Sequence, residues 1–264
     1  MWYTGQVEFN YKKSLGQNFI YDSNYLRVLV AKLGVSKQDQ IVEVGAGAGT
    51  LTAVLAETDA QILSIEIDQR LQPILTKRLQ NYRNVNLVCG DALQQDYQQL
   101  PPFRLIANVP YYITTPLLIK FLSLPNCRNI NILVADEVAK RITARVGTPE
   151  YGALSILCQL QADCDIVQFV PRTMFTPQPK IDSAFVRLTK KTSVLNPDLN
   201  NLLKAVFAAR RKTMLNALSG ALRIDKSTTA MILEQTGIAL TARPEQVTPT
   251  EYWKICTLST KYRK

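Results

Sequence analysis

Histidine is absent from this chain of 264 residues. That excludes a Ser-His-Asp triad, an imidazole general base and the common histidine-containing metal sites, so no metal is expected. Cysteine is sparse and odd in number: Cys89, Cys127, Cys158, Cys164 and Cys256 stand at no paired spacing. They read as small apolar fillers in a reducing compartment, not as disulfides or a zinc site. No apolar run approaches the length needed to span a bilayer, and Met1-Trp2-Tyr3-Thr4 does not begin a signal peptide. A soluble, cytoplasmic protein with no membrane partner is the expectation. Acidic charge is also short, with 21 Asp plus Glu against 31 Lys plus Arg, a net charge of +10 and a pI near 9.4. Such an excess points to a polyanion, nucleic acid or ribosome ahead of membrane; the bland alternative is a solvated basic surface.

What is present is enough apolar material for a core: 47% of the residues are hydrophobic, which at this length suits one large domain or a large plus a small one. Strand-like runs alternate with helix-like ones up to about residue 190. Ile41–Val44 is a short apolar strand, followed by a glycine turn and the helix-like Thr50–Glu57. Gln61–Ile67, Val85–Val88, Leu105–Ala107 and Ile130–Val134 continue the strands, with helices at Leu71–Asn81 and Asp136–Arg145. Such alternation implies a parallel sheet covered by helices on both faces. Asp165–Val170 and Ser183–Leu188 have Pro171, Pro177 and Pro179 between them and no long helix, so an antiparallel hairpin at the sheet edge is expected.

After Lys190-Lys191 the strand pattern ceases. Asn196-Pro197-Asp198 opens an amphipathic helix with Leu199, Leu202, Leu203, Val206 and Phe207 on one face, expected to run on through Arg210-Arg211-Lys212. Helical stretches follow around Ser227–Thr236 and Thr250–Thr260, with Gly237 and Pro244 as punctuation. A boundary near residue 190 therefore divides a domain of residues 1–190 from a small all-α domain of residues 191–264. A basic arm, residues 1–20, precedes the first strand.

The chemistry-bearing motifs sit where strands end. Glu43-Val44-Gly45-Ala46-Gly47-Ala48-Gly49 joins the first strand to the first helix, and its glycines let the chain turn tightly and let a ligand approach the main chain. Glu66 ends the next strand 21 residues after Gly45, a spacing at which a carboxylate reaches ribose hydroxyls. This alone is ambiguous with a dinucleotide site, although the third glycine of G-x-G-x-x-G would fall on Thr50. Gly90-Asp91-Ala92 follows the third strand, where Asp91 could accept from an adenine amine or simply cap a helix. Asn108-Val109-Pro110-Tyr111 follows the fourth. There the Asn108 oxygen can accept from an exocyclic amine, Pro110 removes a backbone donor, and Tyr111 offers a face for a base. A nucleoside cofactor beside such a tetrad suggests methyl transfer to the amine of adenine. Phe175-Thr176-Pro177, in the proline-rich loop, offers Phe175 either as core or as a second stacking face. Lys12-Lys13 in the arm and Arg210-Arg211-Lys212 are candidate phosphate contacts, with a solvated helix end as the alternative for the latter.

Taken together, LGQNF (residues 15–19), EVGAGAGTLT (43–52), IEID (65–68), GDAL (90–93), NVPYYITTP (108–116), FTPQPKIDSAFVRL (175–188) and FAARRKTMLNAL (207–218) resemble the KsgA-like ribosomal RNA small-subunit adenine dimethyltransferases, in the family's order and spacing. The resemblance implies a class I S-adenosylmethionine-dependent methyltransferase fold. That is an α/β, Rossmann-like, mostly parallel seven-stranded sheet with an antiparallel edge hairpin, plus the all-α C-terminal domain. It implies N6,N6-dimethylation of two adjacent adenosines in the 3′-terminal hairpin loop of 16S rRNA, during small-subunit assembly, by a monomer. Carried over by position, the S-adenosyl-L-methionine contacts would be Asn18, Ile20, Gly45, Gly47, Glu66, Asp91, Ala92 and Asn108. The target base would meet Asn108, Pro110, Tyr111 and Phe175, and Lys12, Lys13, Arg210, Arg211 and Lys212 would face RNA. Two positions depart from the family pattern: Val109 replaces the usual leucine, and Asp136 a common glutamine, which bears on the local polar network.

Three competing readings remain. A 23S rRNA adenine methyltransferase of the antibiotic-resistance type shares fold and tetrad, but the FAARRK and FTPQPKIDSAFVRL stretches favour the small-subunit enzyme. A non-catalytic assembly or transcription factor retaining the fold sits poorly with an intact Gly45, Glu66, Asp91 and Asn108. A nicotinamide-dependent oxidoreductase has no use for N-V-P-Y.

Overall fold

The computed structural model describes residues 16–191 and 197–262. Nine strands and ten α-helices follow in chain order among them. They are β1 (Phe19–Ile20), α1 (Ser23–Leu33), β2 (Gln40–Val44), α2 (Thr50–Ala56), β3 (Gln61–Glu66), α3 (Gln72–Leu79), β4 (Val85–Cys89), β5 (Phe103–Asn108), α4 (Thr114–Ser123) and β6 (Cys127–Ala135). Then come α5 (Asp136–Thr143), α6 (Ala153–Gln161), β7 (Ala162–Val170), β8 (Phe175–Thr176), β9 (Ser183–Lys190), α7 (Pro197–Ala208), α8 (Met214–Leu222), α9 (Lys226–Thr236) and α10 (Pro249–Ser259).

Seven strands form one sheet in the order β4-β3-β2-β5-β6-β9-β7. The first five run parallel, β9 runs antiparallel to β6, and β7 pairs antiparallel with β9 as the outermost strand. This is the parallel sheet with an antiparallel edge hairpin that the strand–helix alternation predicts, and the Rossmann-like, seven-stranded form that the resemblance implies. Central strands covered on both faces must be apolar at nearly every position. Leu105, Ile106 and Ala107 of β5 are accordingly all fully buried. Alternate residues serve opposite layers: Val42, Leu105 and Ala107 pack with α4 and α5, and Ile41 and Ile106 pack with α1 and α2. Among the described residues no helix is long and apolar enough to cross a membrane.

Beyond Lys190, α7 to α10 gather around Leu199, Leu203, Val206, Leu218, Leu233 and Tyr252. Their cluster also takes in Tyr151, Ile156 and Leu157, so α6 lies between the sheet and the helical group. One expectation fails here. α7 stops at Ala208, and Arg210-Arg211-Lys212 lie in a turn closed by the Lys212 amide donating to the Ala209 carbonyl at 2.8 Å. No proline or glycine breaks the helix. The chain turns because Met214, Ala217 and Leu218 of α8 must reach the same cluster as α7, and tertiary packing overrides the local preference. Helices α1, α4 and α6 occupy segments for which the strand–helix pattern offers no assignment.

Glu43 of β2 is fully buried; its Oε2 accepts from Ser64 Oγ of β3 at 2.6 Å. Burial pushes its carboxyl from the ordinary 4.5 up to about 7, with the charge of Glu66 adding to the rise. Because the folded value is the higher, the group's contribution to stability is full below pH 4.5 and is lost as pH climbs to about 7. Glu43→Gln keeps an acceptor for Ser64 without the proton. Relative to the parent, its urea-unfolding free energy should gain about 2–3 kcal/mol between pH 5 and pH 8, at about 1.4 kcal/mol per pKa unit. Parallel pH profiles for the two proteins would show that Glu43 ionises normally.

Candidate active site

Parallel pairing brings the C-terminal ends of β4, β3, β2 and β5 side by side, so Asp91, Glu66, Gly45 and Asn108 line one crevice at the sheet's edge. The crevice encloses a cavity of about 240 Å³.

Its floor is the turn from β2 to α2. Gly45, Gly47 and Gly49 all have positive φ, +84°, +56° and +77°. At Gly45 a Cβ would lie 2.5 Å from the Asn108 carbonyl oxygen, and at Gly47 it would lie 2.8 Å from the Phe19 ring. The motif is thus glycine twice over, for conformation and for space. Glu66, 8% exposed, accepts from the Gly47 amide at 2.7 Å through Oε2 and from the Asp68 amide at 2.9 Å through Oε1. Burial pushes its carboxyl up, opposed by those backbone donors. Each oxygen keeps a lone pair for a ribose hydroxyl. Asp91 Oδ1 accepts from the Leu93 amide at 2.8 Å, but residues 92–94 form a turn and no helix starts there, so the helix-cap reading fails. The second oxygen has no hydrogen-bond partner among the described residues. Ala92 is buried in the wall, its carbonyl accepting from the Tyr97 hydroxyl at 2.8 Å.

The segment before β1 closes one side. Asn18 lines the cavity and donates to the Gly16 carbonyl at 3.1 Å, and Gln17 Nε2 donates to Asp68 Oδ2 at 2.6 Å. Ile20 does not share this wall. Its side chain is 5% exposed, packs with α1 and α2, and borders a separate void of about 20 Å³ behind the glycine turn.

Opposite, β5 ends in the tetrad. Asn108 lines the cavity, and its side-chain amide has no hydrogen-bond partner among the described residues. Val109 is buried, which explains why an apolar residue is needed there. The Pro110 carbonyl accepts from the Ile113 amide at 3.1 Å, leaving its second lone pair. Tyr111 faces the cavity and its hydroxyl meets Ser183 Oγ at 2.8 Å. Phe175, 4% exposed, belongs mainly to the core with Ile20 and Leu133, and β8 pairs it against β1, yet it forms part of the cavity wall. The core reading of Phe175 therefore holds, and the proline-rich loop does not hold the ring out.

The basic candidates separate. Lys12 and Lys13 lie outside the described residues. Arg210 is half-buried, with Nε 3.6 Å from Glu245 Oε2 and a guanidinium N–H donating to the Thr148 carbonyl at 3.4 Å; it braces the helical group. Arg211 and Lys212 are exposed. Asp136 forms an i,i+4 ion pair with Lys140 at 2.5 Å through Oδ2, but its Oδ1 is buried without a hydrogen-bond partner, so the departure from glutamine leaves the local polar network incomplete.

Two residues the motifs did not single out hold the site. Lys120 of α4 donates to the carbonyls of Leu93 and Gln95 at 2.9 and 2.8 Å, fixing the loop that carries Asp91. Ser183, fully buried at the start of β9, fixes the Tyr111 ring from 72 residues away. No sequence signal links Tyr111 to Ser183; only the sheet order does.

The model of the family described as ribosomal RNA adenine dimethylase matches residues 8–261. A protein of Lysinibacillus sphaericus called ribosomal RNA small subunit methyltransferase A is 42% identical over 94% of this chain and 90% of its own length. One of the same name from Alkaliphilus oremlandii is also 42% identical, over 94% and 91%. Among solved structures, a dimethyladenosine transferase from Plasmodium falciparum superposes with a TM-score of 0.80 at 26% identity, covering 92% of this chain and 98% of that one. The 23S rRNA methyltransferase ErmE superposes at 0.69 with 23% identity, a likeness of fold alone.

The Tyr111–Ser183 contact is separable by substitution. Turnover by Ser183→Ala and by Tyr111→Phe should fall by the same factor, roughly fivefold for one hydrogen bond of about 1 kcal/mol, and the double variant should be no slower. Losses that multiply would show that the two hydroxyls act independently.

Proposed function

The chain belongs to the ribosomal RNA adenine dimethylase family, and from that premise we propose that it transfers two methyl groups to N6 of each of two adjacent adenosines in the 3′-terminal hairpin loop of 16S rRNA. Its methyl donor is S-adenosyl-L-methionine. The observation that carries the reading is the meeting of the glycine turn and the tetrad in one cavity, with Gly45 against the backbone of Asn108.

The residues present fit that donor. The glycine turn leaves room where any Cβ would collide, the Glu66 carboxylate keeps a free lone pair on each oxygen for ribose hydroxyls, and Asp91 keeps one oxygen for the adenine amine. Asn18 and the Gly47 and Ala92 backbones complete the proposed binding set, from which Ile20 drops out because it is absent from the cavity wall. When bound, the donor supplies a methyl group on a positively charged sulfur, already electrophilic enough to need no acid or metal.

The protein's task is then alignment. The Asn108 side-chain oxygen and the open lone pair of the Pro110 carbonyl accept from the target amine, which steers the nitrogen lone pair toward the cofactor side of the cavity. Such positioning can contribute several kcal/mol, with about 7–11 as the upper range for ideal alignment. The Tyr111 face, with Phe175 at the wall, stabilises the cationic amine that follows methylation by roughly 1–2 kcal/mol. The surplus proton leaves to solvent, so no general base is required, in keeping with a chain that has no histidine. A base in a loop is the easiest to unstack and insert. Residues 1–190 are proposed as the catalytic unit. The helical residues 191–264 are proposed to meet rRNA within the small subunit or its precursor through the outward Arg211 and Lys212. Identity to small-subunit enzymes at 42% favours this over a 23S substrate, for which only the fold speaks.

Labelled methyl transfer onto unmethylated small subunits, with mass mapping of the nucleosides, tests the reading. Asn108→Ala should abolish transfer and leave cofactor affinity largely intact; an active variant removes its steering role. Arg211→Ala should weaken binding to the subunit with a shallower salt dependence. Unchanged affinity at low salt would count against an RNA contact at that turn.

A further inference from the structure

Tyr112 is the one large side chain of the tetrad region that the reaction leaves unused. It lines the cavity yet is 64% exposed, and its ring has no aromatic or hydrogen-bond partner among the described residues. Its direction is imposed by the backbone. Tyr111–Ile113 form a 3-10 turn closed by the Ile113 amide on the Pro110 carbonyl. With three residues per turn, successive side chains point about 120° apart. Tyr111 is held inward by Ser183 and Ile113 packs into the core beside α4, so Tyr112 is left to project at the mouth. The contact that fixes the first ring therefore also sets the direction in which the second leaves the backbone.

An exposed aromatic ring projecting at the mouth of a cavity for a flat base suits stacking by another base. In a loop the nucleotide next to an extruded adenosine loses its stacking neighbour at the moment of extrusion. We propose that Tyr112 is a second, outer stacking platform, binding the nucleobase that flanks the adenosine being methylated. The inference rests on the rRNA reading above and deepens it: one turn holds the target base by Tyr111 inside and its neighbour by Tyr112 at the rim. With adjacent target adenosines, the same ring would receive whichever of the two is not in the cavity. Binding of this kind is made equally in the ground and transition states, so it acts on KM and leaves kcat nearly unchanged.

Steady-state transfer to unmethylated small ribosomal subunits at saturating S-adenosyl-L-methionine reads this directly. Tyr112→Ala should raise KM for the subunit about 5- to 150-fold, the range for loss of one base–aromatic stack. Tyr112→Leu, apolar but without a ring face, should be similarly impaired, and Tyr112→Trp should stay within about threefold of the parent. Cofactor affinity, titrated separately, should be unchanged in all three and reports that they are folded. An unaltered KM in Tyr112→Ala overturns the proposal, as does a leucine variant equal to the tryptophan one, which would mean apolar contact without stacking. A fall confined to kcat also overturns it, since the ring would then act on the reacting base. If the parent protein places no methyl groups on small-subunit adenosines, the functional reading falls and this inference with it; an active parent with an indifferent Tyr112 removes the inference alone.

Discussion

The site depends on a backbone contact that leaves no room for a side chain. Gly45 lies against the Asn108 carbonyl, where a Cβ would come within 2.5 Å of the oxygen. The contact exists because β2 and β5 are neighbouring parallel strands whose ends arrive at the same edge. The glycine turn and the tetrad therefore share one wall. Their separation is set by two main chains hydrogen-bonded into one sheet, not by flexible side chains. Transfer between two bound molecules tolerates little positional error, and strands buried on both faces supply the needed rigidity.

Around that contact, polar clamps carry long-range order to the strand ends. Gln17 ties the segment before β1 to Asp68 beyond β3. Lys120 reaches from α4 to the loop of Asp91, its ammonium 5.3 Å from the centre of the Tyr97 ring. Since α4 begins directly after the tetrad turn, that turn and the Asp91 loop are anchored to one helix. Ser183 adds the far edge of the sheet to the same assembly through Tyr111. Each clamp joins segments distant in sequence, and none announces itself by spacing.

The alternation up to residue 190 was legible because strands buried on both faces leave unbroken apolar runs, as in Leu105-Ile106-Ala107. The antiparallel end was legible from three prolines and the absence of a helix between Asp165–Val170 and Ser183–Leu188. Helix α1 is written in Asp22 as cap, Leu26, Leu29, Val30 and Leu33 at helical spacing, and Gly34 at the left-handed end, but the exposed Val28 blurs its stripe. The end of α7 was not legible, since nothing in Phe207-Ala208-Ala209-Arg210 disfavours helix. Ile20 shows the opposite limit: a position next to contact residues need not present its side chain to them, because successive strand residues face opposite ways.

The sequence by itself determined the chemistry available: no imidazole, a glycine turn, a carboxylate at its partner strand's tip, and an Asn-x-Pro-Tyr tetrad, in the order that identifies the family. Motifs at strand ends survive translation into three dimensions because a parallel sheet sends every such end to one edge. Only the tertiary structure decided which groups remain open to a ligand. It placed Ser183 under Tyr111, engaged Arg210 with Glu245 while leaving Arg211 in water, and turned Tyr112 outward beside an inward Tyr111. Those outcomes depend on strand order, helix ends and the direction of single side chains. They follow from what packs against each residue, which one-dimensional spacing does not encode.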